Sequence, residues 1–217
     1  MFYNNKNVET IVDGIYIYRN FIEKEYVDKI NKIVYNAIGD YDPFSHPNNW
    51  YEDKTYSIPE LDYAWEKASD LLFPEIHIVP ATEVLITKTG DEMFVHTDSP
   101  ENGAIEVNSP DPFQTCHIVD YGVLIYYGEW TGGNIFYPEL NVEISPRPGD
   151  LVVHKSRHPY DHGVRKIESG IRAAQSMFAL TEKDHPGTFP KYKSEEYYKI
   201  KSSNNKNAWT SPLNNIN

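Results

Sequence analysis

Between residues 21 and 38, apolar residues recur at steps of three and four, the spacing of a helix with one buried face. These apolar positions are Ile22, Tyr26, Ile30, Ile33, Val34, Ala37 and Ile38. Asn20 with Glu23 three residues later predicts a capping box at the start of the helix. Gly39 predicts its end, because glycine readily adopts the left-handed conformation that follows a helix.

A second helix is predicted from about Ile58 to Leu72, with Ser57 and Glu60 at its start. Its apolar residues again follow helical spacing: Leu61, Ala64, Trp65, Ala68 and Leu71. Pro74 ends the pattern, since proline cannot continue a helix.

From Ile76 onward the pattern changes to short β-branched and aromatic runs separated by Gly, Pro, Asn and Asp, which is typical of antiparallel sheets. The predicted strands lie near residues 82–88, 93–98, 119–127, 133–137, 141–144, 150–154 and 170–180. Many short strands after two helices, without alternation of strand and helix, predict a mainly β (α+β) sandwich or barrel packed under helices.

The chain of 217 residues is short enough for one hydrophobic core. We predict a single domain over residues 1–182, with helical support at 20–73 and a β core at about 76–182. Residues 183–217 are rich in Lys, Ser, Asn and Pro and have little to bury, so they are predicted to form a polar tail.

Composition narrows the possible partners. Thirty-two Asp and Glu against 20 Lys and Arg leave a net charge of −12, which disfavours a nucleic acid or an anionic membrane as partner. A lone cysteine, Cys116, cannot form a disulfide within the chain, and the first residues lack the pattern of a signal peptide. We therefore expect an intracellular, cytoplasmic protein without a membrane span.

His96 and Asp98 are two residues apart in a predicted strand, so both side chains are expected on one face. His162 follows several intervening strands. Two histidines and one carboxylate on one barrel face form the facial triad that binds Fe(II) and leaves open coordination positions. His154 lies in an apolar run, which favours a core or supporting position, and His158 is an alternative to His162 as ligand.

Arg172 stands ten residues after His162 in the run GIRAAQSMFAL. Its face of the strand continues with Ala174 and Ser176, whose small side chains leave space beside the guanidinium. A buried arginine beside a void predicts a pocket for an anionic small molecule, because arginine binds carboxylates bidentately. The alternative is an ordinary ion pair with one of the many acidic residues.

The run from His96 to about Leu180 combines these motifs in a specific order. They are the His-x-Asp pair, the strand YGVLIYYGEW, Gly132-Gly133, Pro148-Gly149-Asp150, His162-Gly163-Val164 and the basic residue ten positions after His162. In this order and spacing, the run resembles the 2-oxoglutarate and Fe(II) dependent oxygenases, in particular their prolyl 4-hydroxylase-like branch.

The resemblance implies a double-stranded β-helix, the cupin-like jelly roll, with iron bound by His96, Asp98 and His162. It also implies 2-oxoglutarate as co-substrate, dioxygen as oxidant, and release of succinate and carbon dioxide, and it leaves ascorbate open as a further cofactor. Arg172 and Tyr127 would hold the far carboxylate of 2-oxoglutarate.

One position departs from the family pattern. A tyrosine that bonds the co-substrate commonly stands nine residues before the first iron-binding histidine, and Thr87 stands there in this chain. Gly90 follows as the pattern expects. A threonine hydroxyl could replace the tyrosine over a shorter reach, or another tyrosine could do so.

The branch implies hydroxylation of peptidyl proline, with the long loops 41–57 and 99–118 beside an extended peptide. Trp50, Tyr51 and Trp130 offer aromatic surface for a proline ring. Two alternatives stay open at this point: a hydroxylase of a free amino acid or other small molecule, and a cupin-like metal-binding barrel without oxygenase activity. The sequence leaves the oligomeric state open.

Overall fold

Within residues 8–181, the part of the fold that is described consists of two antiparallel sheets and two α-helices. The computed structural model describes residues 8–38, 56–72, 76–78, 83–99, 119–181 and 195. The helices are α1 (Lys24–Ile38) and α2 (Asp62–Leu72), with a 3₁₀ turn at Pro59–Leu61. The strands are β1 (Val8–Val12), β2 (Ile15–Tyr18), β3 (Tyr56–Ser57), β4 (Ile76–Ile78), β5 (Glu83–Lys88), β6 (Met93–His96), β7 (Tyr121–Gly132), β8 (Ile135–Tyr137), β9 (Val142–Ile144), β10 (Leu151–Lys155), β11 (His162–Val164) and β12 (Ile167–Thr181).

The larger sheet has the strand order β1-β2-β10-β7-β12-β5-β3, with β4 paired to β12. The smaller sheet has the order β6-β11-β8-β9. A core cluster joins the facing sides of the two sheets, with Ile17, Tyr126 and Val152 from the larger sheet against Ile135 and Ile144 from the smaller one. Two facing antiparallel sheets around one interior form a jelly roll, so the predicted fold class is confirmed.

The helices cover the other face of the larger sheet. Successive strand residues point to opposite faces, so Val123, Ile125 and Tyr127 of β7 pack into the cluster beneath the helices. Leu124 and Tyr126, between them, belong to the cluster on the side of the smaller sheet. In the described part of the chain, no helix combines the length and apolar character that a bilayer span requires.

The start of α1 differs from the prediction. Asn20 does not cap the helix: it has a positive φ of 50°, and its N–H donates to Asp150 Oδ1 at 3.0 Å. The helix begins at Lys24, and the first helical carbonyl is that of Glu23, which accepts the N–H of Val27 at 3.0 Å. The predicted capping box is therefore wrong, because the asparagine joins the helix entry to the sheet.

The second helix is confirmed, with its first turn tightened into the 3₁₀ turn that Pro59 begins. Several predicted features lie outside the described residues. They are the helix ends at Gly39 and Pro74, residues 41–55 and 100–118 of the long loops, and the tail apart from residue 195.

Five short strands of the structure were not predicted from the sequence. Two of them, β1 and β2, form a hairpin at the edge of the larger sheet, where Leu151 of β10 pairs with Tyr18. Four consecutive buried residues in β2 follow neither the period of a helix nor that of a half-exposed strand. The other three are β3, β4 and β11, each of two or three residues.

Asp150 joins the β1–β2 hairpin to the turn before β10, and it is only 1% exposed. One oxygen accepts hydrogen bonds from Arg19 Nη1 at 2.7 Å and from the N–H of Arg147 at 3.0 Å. The N–H of Asn20 donates to the other oxygen. In the turn from Arg147 to Asp150, Pro148 and Gly149 stand where the sequence pattern of a type II turn places them, and Gly149 has the positive φ, 87°, that this turn requires.

We predict that Asp150→Ala lowers the free energy of unfolding by about 3 kcal/mol, because three donors lose their charged acceptor, which is a buried carboxylate. The matched control is Glu9→Ala. Glu9 pairs with the same arginine at 3.0 Å but is 50% exposed, so its loss is expected to cost less than about 1 kcal/mol. Urea unfolding of both variants measures the difference, and equal losses would contradict the assignment of Asp150 as the anchor.

Candidate metal centre and adjoining cavity

The pairing of β6 with β11 brings two predicted metal ligands together. His96 lies directly opposite His162, and Met93 lies opposite Val164. Three residue steps on β6 therefore match two steps on β11, which defines a β-bulge. The bulge turns both Met93 and His96 toward the interior cavity, whereas Phe94 and Val95 between them are 62% and 43% exposed.

Asp98 completes a cluster of three donors. The ligand atoms of His96, Asp98 and His162 all lie within 4.8 Å of one another. His96 Nε2 is 3.6 Å from Asp98 Oδ1, and the rings of His96 and His162 are 4.5 Å apart. The structure thus brings together the three residues that the sequence indicated as ligands.

Backbone carbonyls orient both histidines of the cluster. His96 Nδ1 is 3.1 Å from the carbonyl of Phe94, and His162 Nδ1 is 3.2 Å from that of Tyr160. Since a carbonyl oxygen only accepts, Nδ1 carries the proton in each ring and Nε2 presents its lone pair. This arrangement fixes the tautomer that metal-binding histidines need.

The charges of the cluster suit a cation. Burial would raise the pKa of Asp98, but its hydrogen bond with His96 and its electrostatic interactions with His162 and His154 lower that pKa to about 2. Burial lowers the pKa of His162 to about 3. Burial also opposes the charged form of His96, but Asp98 outweighs it and raises the pKa of His96. A carboxylate that stays ionised beside a neutral imidazole is ready to bind a divalent metal.

The cavity that the triad lines continues along the larger sheet to Arg172. Arg172 is 2% exposed, and within the described residues its Nε has no hydrogen-bond partner. Leu85, Leu124 and Ala174 line the wall beside it. Burial lowers the pKa of the guanidinium, and no acidic side chain among the described residues compensates for it. A buried cation with an unused donor is the feature expected of a carboxylate site.

Tyr126, and not Tyr127, accompanies Arg172. The Arg172 guanidinium carbon is 5.0 Å from the centre of the Tyr126 ring, and the Tyr126 oxygen interacts with the guanidinium. The proton of this hydroxyl has no acceptor among the described residues. Burial raises the pKa of Tyr126 to about 12, despite the opposing charge of Arg172, so the hydroxyl keeps its proton and can donate.

Tyr127 lies on the opposite face of β7, in the core beneath the helices. Its hydroxyl donates to Gln175 Oε1 at 3.3 Å. This placement contradicts the predicted contact between Tyr127 and Arg172. Both faces of β7 are buried, so apolar alternation in the sequence could not decide which of the two adjacent tyrosines lies beside Arg172.

Thr87 lies beside Arg172 in the sheet, but its hydroxyl already takes part in a backbone hydrogen bond. Its hydroxyl donates to the backbone carbonyl of Arg172 at 3.2 Å. This bond uses the only proton of the hydroxyl, so Thr87 in this position cannot also donate to a carboxylate. The predicted role of Thr87 in binding the co-substrate is not supported.

The other predicted residues occupy different places. His158, the alternative ligand, is exposed and pairs with Asp161 at 2.8 Å, away from the triad. His154 is buried against the triad, as the supporting position predicted for it requires. Trp130 is half-buried and packs with Tyr126. The remaining aromatic residues proposed for the substrate, at positions 50 and 51, lie outside the described residues.

Among known proteins, this chain is similar to solved structures. No family model matches the sequence, and no curated protein matches it significantly. The viral collagen prolyl hydroxylase of Paramecium bursaria Chlorella virus-1, solved as a 2OG complex, aligns with a TM-score of 0.55 at 13% identity, covering 79% of this chain and 99% of that one. A prolyl hydroxylase from Trichoplax adhaerens, solved with a peptide fragment of the hypoxia inducible factor oxygen degradation domain, aligns with a TM-score of 0.56 at 19% identity. That match covers 80% of this chain and 86% of the other.

At these identities the likeness concerns the fold. The chain has the jelly-roll architecture of solved prolyl hydroxylases over about four-fifths of its length. A shared fold does not fix a reaction, so only the side chains in the cavity indicate what reaction it could support.

Gly122 provides a test of the metal centre that changes no donor. A Cβ at this position would lie 2.5 Å from His154 Nε2 and 3.1 Å from Asp98 Oδ2. We predict that Gly122→Ala forces His154 to move and shifts Asp98 by a few tenths of an ångström, which weakens binding of Co(II) by about tenfold or more, measured by absorbance titration. Val123→Ala, on the helix-facing side of the same strand, should lower stability without changing Co(II) affinity; equal affinities in both variants would refute the assignment.

Proposed function

We propose that the protein is an Fe(II) and 2-oxoglutarate dependent oxygenase. One observation carries the proposal: two histidines and one aspartate converge at a cavity that also holds a buried arginine with an unused donor. The jelly-roll fold shared with solved prolyl hydroxylases supports it.

The donor set fits a ferrous ion. Two imidazoles and one carboxylate leave three positions open on an octahedral metal, which is the arrangement of non-haem Fe(II) oxygenases. His96, Asp98 and His162 would hold the ion, and the carbonyls that bind Nδ1 of both histidines keep Nε2 directed at it.

The far side of the cavity fits a dicarboxylate. Arg172 and Tyr126 would hold the distal carboxylate of 2-oxoglutarate with a charge-assisted and a neutral hydrogen bond. Both groups are buried, and within the described residues neither the Arg172 Nε–H nor the Tyr126 O–H has an acceptor, so an anion would satisfy donors that are otherwise desolvated.

When bound, the iron together with 2-oxoglutarate and dioxygen supplies the oxidising power to hydroxylate an unactivated C–H bond, with release of succinate and carbon dioxide. The chain contributes position and environment. Leu85, Leu124, Ile135 and Val164 give the cavity apolar walls, which limit water around the reacting groups.

Peptidyl proline is the substrate that we propose. Two solved prolyl hydroxylases share the fold, and one of them was solved with a peptide. Phe94 and Val95 supply exposed apolar surface directly beside His96, where a proline ring could pack. A hydroxylase of free amino acids would use the same metal and co-substrate residues, and the substrate screen below separates the two.

A metal-binding barrel without activity is not favoured. A structural metal site has no use for a buried cation at the other end of its cavity, whereas Arg172 is 2% exposed and its Nε is unsatisfied in the described part of the chain.

The first experiment is incubation with Fe(II), 2-oxoglutarate and a library of proline-containing peptides and free amino acids. Succinate formation and a mass gain of one oxygen on a peptide are expected. His96→Ala and Asp98→Ala should abolish succinate formation, because two protein ligands do not hold the metal facially. Wild-type turnover in either variant would refute the ligand assignment, and a mass gain confined to free amino acids would refute the peptide substrate.

Matched variants test the co-substrate end. Arg172→Ala should raise the 2-oxoglutarate concentration for half-maximal activity by about ten- to a hundredfold, since a charge-assisted contact is worth about 1.5–3 kcal/mol. Tyr126→Phe should raise it about fivefold, whereas Tyr127→Phe should leave it unchanged, because its hydroxyl bonds Gln175. A larger effect at Tyr127 than at Tyr126 would reverse our assignment.

A further inference from the structure

Among the described residues that line the metal cavity, His154 is the one histidine that the proposed mechanism does not use. It is 1% exposed, lies on β10 and lines the same cavity as the triad. Its ring is 4.5 Å from that of His162, the same separation that His96 has from His162. The second histidine ligand therefore lies between two imidazoles.

The tautomer of His154 matches that of the two histidine ligands. Its Nδ1 is 3.0 Å from the carbonyl of Lys155, which can only accept, so Nδ1 carries the proton and Nε2 presents a lone pair. That Nε2 is 3.9 Å from Asp98 Oδ2, while the other Asp98 oxygen is 3.6 Å from His96 Nε2. Each carboxylate oxygen thus faces one imidazole nitrogen.

Two acceptor atoms that face each other in a buried site repel unless a cation or a donor lies between them. Metal–nitrogen and metal–oxygen bonds are each about 2.0–2.2 Å, so a cation between Asp98 Oδ2 and His154 Nε2 needs only a small adjustment of their 3.9 Å separation. Gly122 keeps the approach clear, since a Cβ there would lie 2.5 Å from His154 Nε2.

We propose that His154 is a fourth protein donor of this centre, so that the metal is held by three imidazoles and one carboxylate before a co-substrate binds. The inference rests on the metal centre of the proposed function, but it does not depend on turnover. The ligand atoms of His96, Asp98 and His162 form the closer set, so His154 is the donor that an incoming bidentate ligand displaces. A set of three imidazoles also favours copper, nickel and zinc over magnesium and calcium.

The test is pulsed EPR of the full chain loaded with one equivalent of Cu(II), which counts the imidazoles bound to the metal. Three are expected in the wild type, two in His154→Phe, and three in the control His158→Phe, which changes an exposed histidine. Addition of 2-oxoglutarate to the wild type should lower the count to two. His154→Phe should also weaken Cu(II) binding about tenfold or more, measured by competition with a chelator.

Two imidazoles in the wild type without 2-oxoglutarate would overturn the inference, as would three in His154→Phe. If His154→Phe does not fold, His154→Gln replaces it, and the wild-type count decides by itself. Failure of the proposed function gives a different result. Three imidazoles bound to Cu(II) without any succinate formation would support the four-donor metal centre and contradict the oxygenase function.

Discussion

The candidate site depends on the register between β6 and β11. Antiparallel pairing places His96 directly opposite His162, and the bulge at Phe94 and Val95 restores the inward direction of His96 after Met93. A shift of one residue would turn one of the histidines to the outer surface. Asp98 follows His96 by two residues and reaches the same point, so a single strand pairing assembles the donor set.

The two faces of the larger sheet differ in what they contact: one packs in the core beneath the helices, and the other faces the smaller sheet. Toward the helices, β7 and β12 present Val123, Ile125 and Met177, which form the main core with α1 and α2. Toward the smaller sheet, the same strands present Tyr126 and Arg172. The burial of Arg172 is a consequence of this double covering, because the helices and the smaller sheet together exclude solvent from both faces of the larger sheet.

The features that the sequence predicted correctly are those with a strong local pattern. The amphipathic helices, the His-x-Asp pair and the turn at Gly149 each depend on residues close together along the chain. The capping box at Asn20 was wrong because Asp150, about 130 positions away, takes its N–H. The sequence could not show whether Tyr126 or Tyr127 lies beside Arg172, since both faces of β7 are buried.

The bulge in β6 is a second feature that alternation of residues along a strand does not predict. Strict alternation from His96 would have placed Met93 outside and Phe94 inside, and the structure shows the reverse because the register with β11 shifts by one residue. Contacts between distant segments decide such shifts, and a single sequence holds no direct record of them.

The β1–β2 hairpin has a consequence for any shortened form of this chain. Strand β2 pairs along Leu151, Val152, Val153 and His154, and so occupies one side of β10. A fragment that starts after Tyr18 would present the peptide groups of this apolar strand to solvent, ready for strand addition by a second molecule. Self-association and precipitation of such a fragment would then follow from an uncovered sheet edge, while the residues that line the cavity stayed unchanged.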